Sequence, residues 1–382
     1  MARPFARGQG AASSICTKCR KEQHVPRLEA LGWNSSFDSQ IRARREGEEP
    51  ARVIEAHRGS YRVLGERGPF YAEAAGRLRH EAMSRETFLP SVGDWVLARL
   101  PATPEGGAAL IERVLPRRTE LTRKDPDRGS VEQVIAANMD TVFLVQSLNR
   151  DLNPRRLERY LALLWESGAE PVIVLSKSDL CEDPEPLLDL VERSASGVTV
   201  HMTSARIPGG LDALSTYLEA GKTAALVGSS GVGKSSIVNA LLGEEVQRVQ
   251  EIREDDRGRH TTTARRLHLL PQGGMLIDTP GMRTVLLLEN EEGIGRAFED
   301  VEEIASRCRF RDCGHDAEPG CAVRDALERG TLDPARYRSY GKLLRETRYQ
   351  AGKLDVRIRL EEQRRWRQIH RDARRRPDKR RI

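Results

Sequence analysis

Cysteine is scarce. Six in 382 residues, unevenly placed, exclude a disulfide-rich secreted scaffold. Long apolar runs are missing too, and none approaches the roughly 18 residues that a membrane-spanning helix needs. The first residues, Met1 to Gly10, lack the apolar core of a secretory signal. Nor does one sign of charge dominate, because 63 Lys and Arg stand against 57 Asp and Glu, a net charge of +6. Charged residues make up 31% and hydrophobic ones 38%, which describes a soluble, cytoplasmic chain long enough for two or three domains and with no membrane partner. The exception to the charge balance is the end, where arginines crowd between Arg364 and Arg381. Such a tail suits a polyanion, whose condensed counterions it would release. A solvated helix end fits that composition equally well.

The chain changes rhythm along its length. Residues 1–49 are polar and irregular and read as a disordered extension. Cys16 and Cys19 with His24 make half a zinc knuckle at most, since no second pair follows at suitable spacing. Residues 50–118 alternate short strand-like runs with turns: Arg52–Ala56, Tyr61–Leu64, Tyr71–Ala75, Asp94–Leu100 and Ala109–Leu115. Five short strands in a basic segment fit a small β-barrel of the oligonucleotide-binding (OB) type, with Arg77, Arg79, His80 and Arg85 as candidate nucleic-acid contacts. By pattern alone an unrelated β-module fits as well. Residues 119–289 alternate strands and helices. Thr141–Val145 is continuously apolar, as in a strand covered on both faces. Asn153 caps a helix opened by Pro154, and Gly168 marks its end. Pro171–Leu175, Val198–Met202 and Ala224–Val227 are further buried strands, which together predict a parallel α/β sheet. Residues 290–382 read as helical and charged, wrapped around a cysteine cluster and ending in the basic tail.

The chemistry lies in the central segment. Gly228-Ser229-Ser230-Gly231-Val232-Gly233-Lys234-Ser235, with Ser236 beside it, is a phosphate loop between a buried strand and a helix. By composition such a pattern arises about once in a hundred chains of this size. Its glycines let backbone N–H groups turn inward around phosphates at a helix N-terminus. Lys234 is expected to reach the β- and γ-phosphates and Ser235 to ligate Mg2+. Asp278-Thr279-Pro280-Gly281 follows the strand Met275–Ile277, so Asp278 can hold Mg2+ through water and the Gly281 N–H can meet the γ-phosphate. In the polar segment His260-Thr261-Thr262-Thr263, Thr261 or Thr262 completes the Mg2+ shell.

Base choice rests on Ser176-Lys177-Ser178-Asp179. The Asp179 carboxylate can accept two hydrogen bonds from guanine, a pair that adenine does not offer, while the Lys177 stem lies over the purine. Ser176 stands where asparagine is usual, so the tie between this loop and the phosphate loop is expected to weaken. Thr203-Ser204-Ala205 reads as the motif contacting the base oxygen, through Ser204 and Ala205. The base motifs thus precede the phosphate loop. This rotated order reads as a GTPase core cut after its second switch and resealed elsewhere. Finally, Cys308-x4-Cys313-x-His315-x5-Cys321 offers three thiolates and an imidazole, a closed tetrahedral set for one structural zinc ion, Zn2+.

With these residues in view, the chain closely resembles the ribosome small-subunit-dependent GTPase A (RsgA) family, from about Ala51 to the last helices. The likeness runs through Glu132–Asp140, Gly258–Thr263 and the Cys308–Cys321 cluster. It implies an OB barrel, a circularly permuted GTPase core and a zinc domain that engage ribosomal RNA. It further implies a late step in small-subunit maturation, with GTP hydrolysis promoting release of the factor. The place just after the D-x-x-G motif, where most regulatory GTPases carry a water-aligning glutamine, holds Met282. The family resemblance assigns that task to His260. The expected partners are the small ribosomal subunit with its rRNA and GTP or GDP, the factor acting as a monomer. The rival reading is an RNA-binding scaffold with a vestigial nucleotide site, resting on Ser176 and the absent glutamine.

Overall fold

The computed structural model describes residues 27–41, 44–57, 59–84, 87–101, 107–124, 132–148, 152–244, 265–279, 291–316 and 318–349. No helix among them is long and apolar enough to cross a membrane.

The described chain opens with a 3-10 turn, Leu28–Leu31, and helix α1 (Ser35–Gln40), capped by the Asn34 side chain on the Ser36 N–H. For the described residues from 27 onward, this corrects the reading of residues 1–49 as a disordered arm. Leu31 and Phe37 are wholly buried, and the Trp33 ring meets that of Trp95 edge-on at 4.7 Å. Residues 1–26, with Cys16 and Cys19, lie outside the described part.

Strands β1 (Glu48–Ala56), β2 (Ser60–Gly65) and β3 (Gly68–Ala74), helix α2 (Gly76–Met83) and strands β4 (Trp95–Arg99) and β5 (Ala109–Val114) follow. The hydrogen-bonded order β1-β2-β3-β5-β4 closes on itself through a β1–β4 pairing, so a five-stranded barrel forms, as expected. Its interior holds Val53, Val63, Ala72, Val96 and Ile111. A two-stranded hairpin comes next, β6 (Glu120–Lys124) with β7 (Glu132–Ala137).

The central sheet then builds from β8 (Thr141–Ser147), α3 (Pro154–Glu166), β9 (Glu170–Ser176), α4 (Glu185–Ser194), β10 (Thr199–Met202), β11 (Thr223–Val227), α5 (Lys234–Leu242), β12 (Arg266–Leu269) and β13 (Met275–Asp278). Strand order is β10-β9-β8-β11-β13-β12, parallel except for β12. Alternate residues face opposite sides, as the pleat requires. Val142, Leu144 and Ile173 pack with α3 and α4, whereas Phe143, Val145 and Val172 pack with Ile237 and Val238 of α5. Strand β12 also pairs with β1, at Glu55 and Arg266, so barrel and central sheet are one hydrogen-bonded surface.

Beneath that junction lies Arg52, 1% exposed. Its guanidinium donates to the carbonyls of Leu31, Gly93 (3.3 Å) and Asn138 (3.0 Å) and touches the Met275 sulfur. The opening segment, barrel and central sheet all feed this one cation.

Helices α6 (Glu292–Ala297), α7 (Glu299–Ser306), α8 (Ala322–Glu328) and α9 (334–349) complete the described chain. They lie on the α3 face, where a Cβ on Gly293 would stand 2.1 Å from the Ala162 carbonyl. Only glycine permits so close an approach of α6 to α3.

Candidate functional site

Strand β11 ends at Val227 and the phosphate loop begins at once. Gly228 has φ 153°, and a Cβ there would meet the Val145 carbonyl at 2.4 Å, so a side chain is excluded. Gly233 (φ 99°) turns the chain into α5. Lys234, the first residue of that helix, folds back over the loop. Its ammonium donates to the carbonyls of Gly228 (2.8 Å) and Ser229 (2.7 Å), so one of its three protons remains for a phosphate oxygen. Burial pushes the Lys234 ammonium down to about 8, an effect partly offset by the Asp278 carboxylate. Asp278 ends β13 in register with Leu226 of β11, and the Thr279 hydroxyl donates to the Leu226 carbonyl. The Tyr160 hydroxyl of α3 meets the Ser229 side chain from the other side.

The base-reading loop leaves β9 beside the phosphate loop. Lys177 adopts a left-handed conformation (φ 59°), and its ammonium donates to the Gly231 carbonyl at 2.8 Å. Ser176, 3% exposed, lies in hydrogen-bond reach of Val232 O in the phosphate loop and of Gln146 O at 3.1 Å. Its single proton serves one of them at a time. The expected loss of a tie at position 176 is therefore corrected: the hydroxyl reaches the phosphate loop that a longer amide would have reached. Asp179 accepts from the Ser204 hydroxyl at 2.6 Å, and Ser204 Oγ accepts from the Arg206 N–H at 3.1 Å. Thr203, Ser204 and Ala205 follow β10, the parallel neighbour of β9, which is why two motifs 25 residues apart meet.

A cavity of about 670 Å³ lies behind this loop, between Ser204–Asp212, Leu218–Ala220 and the end of α5. It shares Ser204 and Ala205 with the base-reading side and does not include the phosphate loop.

Cys308, Cys313, His315 and Cys321 converge, their four ligand atoms all within 4.8 Å of one another. His315 takes a left-handed backbone (φ 62°), and its Nδ1 lies 3.6 Å from Cys308 Sγ and 3.5 Å from Cys321 Sγ. A tetrahedral zinc ion, with bonds of about 2.3 Å to sulfur and 2.0–2.1 Å to nitrogen, sets such ligands about 3.6 Å apart. The donor set therefore fits zinc. Cys321 also caps α8, its sulfur accepting from the Arg324 N–H at 3.4 Å.

A family model described as RsgA GTPase matches residues 114–288. The small ribosomal subunit biogenesis GTPase RsgA of Methanosarcina acetivorans is 43% identical over 339 residues, covering 88% of this chain and 90% of that protein. The chain belongs to the RsgA family. Among solved structures, YjeQ from Thermotoga maritima is similar at 28% identity and a TM-score of 0.58, covering 78% of this chain and 98% of that one. YloQ, described as a circularly permuted GTPase, is similar at 27% identity and a TM-score of 0.56, covering 80% and 97%. An RsgA chain is accordingly a GTPase whose OB barrel precedes a permuted P-loop domain and a helical unit with a zinc-compatible cluster.

Of the residues expected from sequence to bind nucleotide, Ser176, Lys177, Asp179, Ser204, Ala205, the loop Gly228–Ser236 and Asp278 lie in the described part of this RsgA-family chain. His260, Thr261, Thr262 and Gly281 lie outside it, as does Arg85 of the barrel. Arg77 and Arg79 belong to α2, where they pair with Glu81 and Glu73. Tyr160 was missed, because a tyrosine on a helix's apolar face reads as core. Ser235 and Asp278 are hard oxygen donors suited to Mg2+, which would supply charge neutralisation at the phosphates.

Proposed function

We propose that the protein is a GTP hydrolase of small-ribosomal-subunit assembly, acting at a late maturation step in the cytoplasm as a monomer. The observation that carries this reading is Asp179, held by Ser204 and set by Lys177 against the phosphate loop. A carboxylate so fixed accepts from both N1–H and the exocyclic amine of guanine, and an adenine would leave it unpaired.

In this reading Ser176, Lys177, Asp179, Ser204 and Ala205 bind the base. The backbone N–H groups of Gly228–Ser236 and the Lys234 ammonium bind the phosphates. Ser235, with Thr261 or Thr262, ligates Mg2+, Asp278 holds it through water, and Gly281 senses the γ-phosphate. His260 aligns the attacking water, since Met282 has no group to do so. Cys308, Cys313, His315 and Cys321 hold one zinc ion that staples the last unit. The barrel (50–118) and the zinc unit (290–382) contact rRNA, while residues 119–289 turn over GTP.

The M. acetivorans relative is named for small-ribosomal-subunit biogenesis, and 43% identity over nearly the whole of both chains supports the same task here. The Ser176 contact removes one of the two features that favoured a vestigial site. Hydrolysis releasing the factor follows if ribosome contact and the γ-phosphate bias the same conformation. GTP turnover measured with and without purified small subunits tests the proposal. Stimulation is expected, and its absence with zinc-loaded protein overturns the reading.

A further inference from the structure

We infer that the tip of the metal-stapled loop, Arg309-Phe310-Arg311, is a stacking platform for an unpaired RNA base. This deepens the function proposed above, on which it rests, by naming a contact and its chemistry.

Phe310 is 42% exposed, whereas Phe298, Val301 and Val323 of the same unit are buried. An exposed aromatic set among cationic side chains offers a flat apolar face on which a planar partner can lie. The flanking residues say what covers it. Arg307, Arg309 and Arg311 are all exposed, and Asp312 is the one carboxylate between Cys308 and Cys313. The Arg309 guanidinium stands 5.4 Å from the Phe310 ring centre. Arg311 has no ion pair among the described residues, and Arg307 has an exposed 3.9 Å contact with the Glu303 carboxylate and a hydrogen bond to the Glu303 carbonyl. Guanidiniums beside a flat ring match a nucleic-acid strand, whose phosphates meet the charge while a base lies on the ring.

The loop is also prepared for this. Cys308 and Cys313 of the zinc-compatible cluster stand on either side of the tip. Arg309 N–H donates to Gly320 O at 3.1 Å, and a Cβ on Gly320 would press on the Arg309 side chain at 3.1 Å. A ring held on so short a loop loses little freedom when a base settles on it. Unpaired rather than duplex RNA is implied, because a base inside a helix has no free face to offer.

The test uses the full, zinc-loaded chain and two probes: an unstructured RNA of about 12 nucleotides, and purified small ribosomal subunits with a non-hydrolysable GTP analogue. Phe310→Ala is expected to weaken RNA binding about ten-fold, roughly 1.4 kcal/mol, with the salt dependence unchanged. Phe310→Tyr keeps the ring and stays within about two-fold of the parent. Arg311→Ala lowers the salt slope by roughly one phosphate contact. If Phe310→Ala sheds zinc, Phe310→Leu, apolar but not flat, takes its place with the same expectation. RNA affinity unchanged in Phe310→Ala, or a loss in Phe310→Tyr as large as that in Phe310→Ala, overturns the inference. So does weaker binding to subunits with RNA affinity intact, which would make the surface a protein contact. Parent protein that binds the RNA but not subunits would instead count against the ribosomal reading and leave the stacking result standing.

Discussion

Arg336 of α9, 4% exposed, donates to the Glu158 carboxylate of α3 at 3.2 Å and so fastens the last helical unit to the central domain. All five of its N–H donors are used. Nε and one terminal nitrogen grip Asp300 at 2.7 and 2.6 Å, and the carbonyls of Ser194 and Ala297 accept at 3.0 Å. Lysine cannot reproduce that planar fork.

Replacing this guanidinium strips the buried Glu158 carboxylate of one of its two arginine partners, Arg155 being the other, and leaves Asp300 and the Ser194 and Ala297 carbonyls without their donor. Arg336→Ala is therefore expected to cost about 3–5 kcal/mol, read from denaturant unfolding. Arg336→Lys should recover less than half of that loss. A change below about 1 kcal/mol would show that the last unit is not held here.

Nucleotide binding should depend on pH through Lys234. Burial lowers its ammonium to about 8 against an ordinary 10.5, with Asp278 offsetting part of the effect. Between those two values the unfolded chain holds a proton that the native protein has released, so this group's contribution to stability rises with pH there. Binding runs the other way, since phosphates need the charged form. Affinity for GTP should fall up to about ten-fold per unit above pH 8, and calorimetry near pH 8.5–9 in buffers of different ionisation enthalpy should report proton uptake. Lys234→Ala should abolish binding at every pH.

The base loop separates affinity from selectivity. Ser176→Ala removes the hydroxyl contact with Val232 O and should weaken GTP binding about five-fold, roughly 1 kcal/mol, with guanine preference intact. Asp179→Asn should erase that preference. Competition between labelled GTP and unlabelled ATP distinguishes the two, and an Asp179→Asn protein that still rejected ATP would refute the assignment.

Chelation or Cys313→Ser should remove the metal and expose the 307–330 region to protease. Nucleotide affinity should remain within about two-fold, because among the described residues no hydrogen bond or ion pair joins the phosphate or base loops to the cluster. Loss of GTP binding on zinc removal would mean that the two sites are coupled.

The sequence revealed the elements whose patterns are local. Continuous apolar residues at Thr141–Val145 became β8, and Asn153 with Pro154 opened α3, the Asn153 side chain accepting from Arg155 and Arg156 N–H groups. The phosphate loop and the cysteine spacing carry their chemistry in adjacent residues. What stayed hidden depends on distant partners. Helix α2 has no side-chain cap and only Leu78 buried, so nothing in its pattern marks it. Leu31 and Phe37 sit in a polar stretch whose order comes from Trp95, far along the chain. Ser176 looked like a loss because its acceptor, Val232, is 56 residues away.

Arg52 sets a boundary for anyone shortening this protein. Among the described residues no carboxylate forms an ion pair with it, and its N–H groups point at peptide oxygens, one of them supplied by Leu31. A version begun at the first barrel strand would keep the cation and discard that oxygen, opening a wet, charged gap beneath Trp95. A shortened version that keeps this contact starts ahead of the barrel, near Leu28.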